Sequence, residues 1–345
     1  MTGVKRVKLI DVALAAGVHP GTASRALNPA TRGRVSAETS RRVLKAAERL
    51  GYVPNTIARG LRTSRSFVVA MLVPDITNPL FPPMVRAAEQ VLSLAGYTLV
   101  LTDTDNDSDT ERRQVEQLRA RGTDGFIIAT ARWLDPLLEE IADDDLPAVL
   151  VNRNIGSRRL PYVGADDRIG IQLAVEHLAG LGHRRMVHLS GPQDTSTGRD
   201  RASAFGQAVD GLGLQSGRSL IQECTSYTEA AGAEATRRLL DAGQDMTAIV
   251  CANDLIALGA LSVLADAGIR CPDDISVIGF NNMAMVDRLT PPLTTVRLPL
   301  QRIGELSARL LLAEIEDGSQ SSGGAVQTLL GVELVVRGTT ARPRA

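Results

Sequence analysis

Arg25 is the first residue in the chain whose type and setting suggest specific chemistry, with Thr22, Ser24 and Asn28 as polar companions. A guanidinium holds paired N–H donors in one plane and can match the O6 and N7 acceptors of guanine in a major groove, worth about 1–3 kcal/mol of discrimination. The same fork also grips a phosphate or a carboxylate, so base reading and simple ion pairing both stay open for Arg25. Leu61 stands among Arg59, Arg62 and Arg65. An apolar wedge beside arginines is the chemistry of minor-groove insertion; packing on the following domain is the other reading of Leu61.

Catalytic and metal-binding patterns fare worse. Asp103, Asp105 and Asp107 imitate a calcium loop, but Ser108 and Gln114 occupy the places of the required Gly and closing Glu. The stretch reads as a strand-to-helix loop. Gly211 and Gly213 suggest a dinucleotide fingerprint, but Ser216 replaces the third Gly and a helix precedes them. His177, His183 and His188 come without an HExxH pattern or a cysteine partner. Ser190 lies outside a G-x-S-x-G elbow, and Asp143 to Asp145 read as a solvated loop. No nucleophile–base pair can be argued, so an enzyme is not expected, and no cofactor is expected.

Arg25 needs a helix beneath it. Leu9, Val12, Ala13 and Ala16 recur at helical spacing, and Gly17 suits the left-handed exit of a short first helix. Pro20 suits the first position of a second helix, whose apolar face is Ala23, Ala26 and Leu27. Ser36 is a good N-cap for a third, with Glu38 in its first turn, Val43, Leu44, Ala47 and Leu50 inward, and Gly51 as its stop. Two short helices joined by a glycine turn, with a third behind them, make a helix-turn-helix. Lys5, Arg6 and Lys8 before LIDVALAAGV imitate a signal peptide, but Asp11 interrupts the apolar stretch, which reads as the first helix. Residues 54–65, PNTIARGLRTSR, read as a linker with latent helicity that Gly60 weakens.

The charge supports that division. The first 62 residues carry 12 Lys/Arg and 3 Asp/Glu; the other 283 carry 26 and 36. A net charge of −1 conceals a basic head on an acidic body. That asymmetry marks a nucleic-acid-binding module joined to something else; a solvated basic bundle is the alternative. At 345 residues and 44% hydrophobic the chain can hold two or three domains with sizeable cores. Aromatics are 3%, so those cores rest on Val, Leu, Ile and Ala. No apolar run reaches about 18 residues, so no membrane-spanning helix is expected. Three cysteines, Cys224, Cys251 and Cys271, outside any CxxC spacing, argue against a disulfide framework and for a reducing, cytoplasmic compartment.

From residue 66 on, short β-rich runs such as FVVAMLV, GFIIA, AVLVN, AIVCA and ISVIGF alternate with amphipathic helices such as PPMVRAAEQVLSLAG and DLIALGALSVLADAG. Alternation predicts parallel sheets covered on both faces. The length predicts two lobes, with a ligand cleft outside the strand C-termini.

LIDVALAAGVHPGTASRALN followed by RVSAETSRRVLKAAERLGYVPNTIARGLRT closely resembles the head of the lactose-repressor/galactose-repressor (LacI/GalR) family. The order of helix-turn-helix, third helix, Tyr-x-Pro-Asn and hinge Leu carries the resemblance. VPDITNPLF, LGHRRMVHLSG, CANDLIALGALSVLADAGI, ISVIGFNN and PPLTTVRLP extend it through the body. His19 stands where the family usually has a Ser cap, and the loop Asn28–Val35 is longer by about two residues, with Arg32 and Arg34 placed for extra phosphate contacts.

The resemblance implies a small all-α helix-turn-helix head (1–53), a hinge (54–65) and an α/β body (66–345). The body would be a two-lobed, periplasmic-binding-protein-like effector domain with parallel sheets and three crossovers. Lobe 1 is expected over about 66–163 and 292–325, and lobe 2 over about 164–291 and 326–345. The implied DNA-contacting set is His19, Pro20, Gly21, Thr22, Ser24, Arg25 and Asn28, with Asn55, Ala58 and Leu61 in the hinge. Gly21, lacking a side chain, reads nothing directly. The implied effector set is Asn78, Phe81, Asn152, Arg201, Tyr227, Asn253 and Asn281. Without the resemblance Phe81 reads as core, and Asn253 equally reads as a helix N-cap. Asn152 and Asn281 stand where sugar-binding members often carry Asp, which removes two negative charges while Arg201 is kept, and makes a carboxylate- or phosphate-bearing ligand more plausible. The implied function is a transcriptional regulator, most often a repressor. It would be a homodimer on a pseudo-palindromic operator in double-stranded DNA, controlled by a sugar or related metabolite. The closing RGTTARPRA is too short and polar for a coiled-coil tail, so a dimer without a tetramer is expected. A transporter's solute-binding protein and an enzyme on a doubly wound sheet are the rival classes.

Overall fold

The computed structural model describes residues 7–27, 31–52, 65–214, 221–317 and 325–344. They form two compact units, Met1–Ser66 and Phe67–Ala345. Asn28, Asn55, Ala58 and Leu61 lie outside the described residues.

The first unit holds α1 (Leu9–Ala16), α2 (Pro20–Leu27), a 3-10 turn at Arg32–Arg34 and α3 (Ala37–Leu50). Its core is Val12, Ala13, Ala16, Ala23, Ala26, Val43, Ala46 and Ala47. Small alanines let three short helices approach closely. Gly17 and Gly51 take φ of 63° and 64°, ending α1 and α3 as expected. Ser36 caps α3 by accepting from Thr39 N at 3.3 Å. Leu44, expected inward, is 37% exposed. It lies about 100° around the helix from Val43, and Ala46 fills the inward face instead.

The second unit contains two six-stranded sheets. The first has the order β11-β5-β4-β3-β1-β2, and the second β12-β10-β9-β8-β6-β7. The strands are β1 (Val68–Val73), β2 (Thr98–Asp103), β3 (Gly125–Ile128), β4 (Ala148–Val151), β5 (Tyr162–Ala165), β6 (Met186–Ser190), β7 (Ile221–Glu223), β8 (Ala248–Cys251), β9 (Ser276–Asn281), β10 (Thr294–Arg297), β11 (Gln327–Leu330) and β12 (Glu333–Val335). The helices are α4 (Phe81–Leu94), α5 (Ser108–Ala120), α6 (Pro136–Asp143), α7 (Asp167–Leu181), α8 (Ser196–Gly211), α9 (Glu229–Asp241), α10 (Asp254–Asp266) and α11 (Leu300–Asp317). The first sheet is parallel throughout. The second is parallel except for the antiparallel edge strand β12.

Strand β1 shows why these segments read as continuous apolar runs. Val69, Met71 and Val73 face one buried cluster with Met84, Ile127 and Leu311. Ala70 and Leu72 face the other, with Phe126, Leu138 and Ile141. Both faces are covered, so both alternations are apolar.

The chain crosses between lobes three times, but not all where the sequence places the limits. Strand β5 pairs with β4, so the first crossing follows Ala165. Strand β10 pairs with β9 and belongs to the second lobe, whereas 292–325 was expected in the first. Strand β11 pairs with β5 and belongs to the first lobe, whereas 326–345 was expected in the second. Ladder hydrogen bonds decide membership, and TTVR and QTLL are too polar and short to announce themselves as strands.

Helices α9 and α10 touch backbone to backbone. A Cβ at Gly259 would overlap the carbonyl oxygen of Glu229, which cannot swing aside. Gly206, mid-way along α8, has open space around it. Gly259→Ala is therefore expected to lower stability by about 1–3 kcal/mol. Gly206→Ala is expected to raise it by about 0.5–1 kcal/mol through helix propensity. Urea denaturation of the two variants checks the opposite signs.

Candidate functional site

Two sites are assembled, one in each unit. In the first, α1 and α2 meet across the turn at Gly17 and Val18. The His19 carbonyl accepts from Thr22 N and Ala23 N at 2.8 and 3.0 Å, opening α2. The His19 ring replaces a hydroxyl cap: its Nδ1 accepts from Gly21 N at 3.1 Å. With Nδ1 the acceptor, the neutral ring carries its proton on Nε2. Arg25 and Gly21 are exposed on α2, and Pro20, Thr22 and Ser24 are partly so. Arg32 points its Nε at the Ala26 carbonyl, 3.1 Å away, and Thr31 Oγ1 donates to the Arg25 carbonyl at 3.1 Å. Arg32 thus closes the C-terminal end of α2, while Arg34 stays exposed.

The second site lies between the two lobes of the body. Asn78, Phe81, Asn152, Arg201, Tyr227, Asn253 and Asn281 line one cleft, joined by Leu80, Arg153 and Thr197. All seven positions inferred from sequence converge there, across some 200 residues of chain.

Each is held by local structure. The Asn78 side chain accepts from Leu80 N at 3.0 Å and sets up α4, whose first residue is the buried Phe81. Asn152 follows β4 in a left-handed conformation, φ 63°, which Asn tolerates better than most residues. Its carbonyl accepts from Tyr162 Oη at 3.2 Å. The Tyr227 ring rests on Gly191, where a Cβ would overlap it, and its hydroxyl contacts Thr195 Oγ1 and Thr197 Oγ1 at 3.0 and 2.7 Å. Asn253 caps α10 by accepting from Ile256 N at 2.8 Å, while its Nδ2 donates to the Tyr227 carbonyl at 3.1 Å. Asn281 ends β9 with φ 113°, and its buried Oδ1 has no hydrogen-bond partner.

Each nitrogen of the Arg201 guanidinium makes a hydrogen bond. Its Nε and Nη2 donate to Asp167 Oδ1 at 3.0 and 2.8 Å, and its Nη1 donates to the Ala252 carbonyl. The guanidinium lies 3.9 Å from the Phe280 ring centroid. Sequence reasoning missed Arg153, which is 6% exposed. Its Nη1 reaches Asn106 Oδ1 at 3.4 Å, and its Nε is buried without a partner. Burial pushes its pKa down. Its only sequence signal is adjacency to Asn152.

The cleft is closed. About 20 Å³ is open between its side chains, room for about one water. Trp133 N donates to the Asp194 carbonyl at 2.7 Å, Arg132 pairs with Asp194, and the Arg199 guanidinium sits 4.9 Å from the Trp133 ring. Asn154 N donates to Ser196 Oγ at 2.9 Å. These contacts join lobe 1 to lobe 2. Nearby Glu111 is buried, accepts from Thr130 Oγ1, and is pushed by burial up to about 7. A larger cavity of about 410 Å³ lies around Tyr162, Asp166, Asp200 and Gln327, with arginines and carboxylates mixed in its wall.

The other sequence candidates are engaged separately. Asp107 caps α5 by accepting from Thr110 N at 2.7 Å, and Asp103 braces Ile76 N and Asp105 N, both at 2.9 Å. His177 contacts Thr340, His183 contacts Thr247 and Ala341, and His188 contacts Val250. Among the described residues no cluster of His, Cys, Asp and Glu could hold a metal ion. None of their helices is long and apolar enough to cross a membrane.

Comparison with known proteins covers both units. A family profile described as "Bacterial regulatory proteins, lacI family" matches residues 8–55, and one for a "Periplasmic binding protein-like domain" matches 175–340. The ribose operon repressor of Halalkalibacterium halodurans is 33% identical over 330 residues, covering 96% of each chain. The Lac repressor dimer bound to operator and the anti-inducer ONPF is 28% identical with a TM-score of 0.83, covering 98% of this chain and 100% of that one. A transcriptional regulator CelR–cellobiose complex is 30% identical with a TM-score of 0.73, covering 97% and 100%.

Asp167→Ala would leave Arg201 buried without its counter-charge. A loss of about 3–5 kcal/mol is expected, read as an earlier urea midpoint. Asp166→Ala, which removes only the α7 N-cap acceptor for Ile169 N, is expected to cost about 1 kcal/mol.

Proposed function

The chain belongs to the lacI family of bacterial regulatory proteins, and on that premise we propose how its two units divide the work of a transcriptional repressor. Residues 1–53 form the DNA-reading head and 54–65 the hinge. Residues 66–345 form the effector-binding and dimerisation body. Two copies place two heads on the half-sites of a pseudo-palindromic operator. Arg25, exposed on α2, reads a base edge. His19, Thr22 and Ser24 position the helix, and Leu61 enters the minor groove.

The convergence of seven dispersed residues on one interlobe cleft carries the effector reading. The Lac repressor and CelR structures, with ligands named in their descriptions, support a small sugar-like effector. A cleft with room for about one water admits such a ligand only when the lobes part. Ligand therefore acts by its differential affinity for open and closed bodies. The lobe angle sets the spacing of the paired hinges, and so whether both heads engage DNA together. The relatives are regulators, which supports a non-catalytic role. A protein that reads chromosomal operators works in the bacterial cytoplasm.

Selection of bound duplexes from a random library tests the reading. A pseudo-palindrome with a fixed centre is expected from the wild type. Arg25→Ala is expected to relax preference at one position in each half-site, by about 1–3 kcal/mol. An unchanged motif in that variant would make Arg25 a phosphate contact, and no enriched motif from the wild type would remove the repressor reading.

A further inference from the structure

The cleft wall contains two arginines and no carboxylate. Behind the wall, Asp167 balances Arg201 through hydrogen bonds of 3.0 and 2.8 Å. Among the described residues no ion pair includes Arg153, although its side chain is buried in the wall. The two carboxylates whose charges reach it are committed elsewhere. Glu111 accepts from Thr130, and Asp194 pairs with Arg132.

Burying a cation without a counter-ion is costly, and a neutral side chain of similar size would be cheaper in a protein selected for stability alone. The Tyr227 ring, 5.4 Å from the Arg153 guanidinium across the lobe interface, offers a cation–π contact. That contact supplies no negative charge and is lost when the lobes part. The unpartnered Nε shares one edge of the guanidinium with Nη2, which makes no hydrogen bond among the described residues, and that edge matches carboxylate and phosphate geometry. In the wall of the same cleft, the unpartnered Asn281 Oδ1 lacks a donor, which a hydroxyl would provide.

We propose that the effector of this cleft is a small polyhydroxy molecule bearing a carboxylate or phosphate, with Arg153 as its counter-ion and Asn281 accepting from one of its hydroxyls. This rests on the cleft being the effector site. Opening separates Arg153 from Tyr227, and the anionic group takes the place of the ring against the guanidinium.

The test uses the full chain and its single tryptophan, Trp133, as a reporter at the lobe boundary, where it contacts Asp194 and Arg199. D-glucose, D-glucuronate and D-glucose 6-phosphate are titrated, then D-ribose and D-ribose 5-phosphate. An acid or phosphate is expected to bind at least about tenfold more tightly than its neutral partner. In Arg153→Gln that advantage is expected to shrink to within about twofold. The carboxylate and phosphate arms separate the two sources of charge. A neutral sugar that binds as tightly as its charged partner, with Arg153→Gln unaffected, overturns the anionic effector but leaves the effector cleft standing.

A ligand-free readout decides the case in which no sugar in the panel binds. Thermal melts are compared with and without inorganic phosphate. The proposal predicts that Arg153→Gln melts higher than the wild type, and that phosphate stabilises the wild type but not the variant. A lower-melting variant with the same phosphate response makes Arg153 structural and overturns the proposal.

Discussion

The ion pair between Asp167 and Arg201 governs the interior of the body. Asp167 is the first residue of α7, reached just after the chain leaves β5 and crosses into the second lobe. Its negative charge suits a helix N-terminus. Arg201 comes from α8, spreads over Phe280 of β9, and donates to the carbonyl of Ala252 just beyond β8. One guanidinium thus ties the crossover to two strands and a helix. The next residue after Ala252 is Asn253, which caps α10 and holds the Tyr227 carbonyl. The backbone that carries the aromatic ring of Tyr227 is thereby tied to the pair behind it.

That arrangement sorts the cleft by task. Arg201 is tied to Asp167 and the Ala252 carbonyl, and Asn253 to Ile256 N and the Tyr227 carbonyl. Tyr227 is pinned through its hydroxyl by Thr195 and Thr197. Arg153 and Asn281 retain unpartnered buried atoms. A charge argument from sequence pointed to Arg201 as the cation facing an acidic ligand. Asp167 cancels Arg201 and nothing equivalent lies beside Arg153, so the proposed counter-ion is Arg153, which the sequence did not single out.

The apolar strands and the helix stops were legible because local physics sets them. Central strands buried on both faces read as unbroken apolar runs, and Gly17, Gly51 and Ser36 mark helix ends by backbone and hydrogen-bond chemistry alone. Strands β5, β7, β10 and β11 were not legible. All are short; Gly164 weakens the pattern of β5, and Gln222, Thr294 and Gln327 give the other three a polar look that only ladder pairing overrides. The misplaced lobe limits follow from the same cause. The cleft residues were found through family resemblance and not through pattern, since residues 78 to 281 share no spacing. Arg153 was missed because the absence of a counter-ion is a tertiary fact. His19 as a cap departs from the family's Ser, and only the ring's contact with Gly21 N shows that it serves.

The central claim is that the angle between lobes controls DNA binding, and it can be tested without knowing the effector. Arg132 of lobe 1 and Asp194 of lobe 2 pair across the lobe boundary. With both replaced by cysteine, in a Cys271→Ser background, a short bis-maleimide, which adds one cysteine thiol at each end, would hold the lobes closed. Operator affinity would be measured before and after linking, with each single-cysteine protein treated alike. The account predicts a change of about tenfold or more on linking, and its sign gives the direction of control. Equal affinities for the linked and unlinked protein would contradict it.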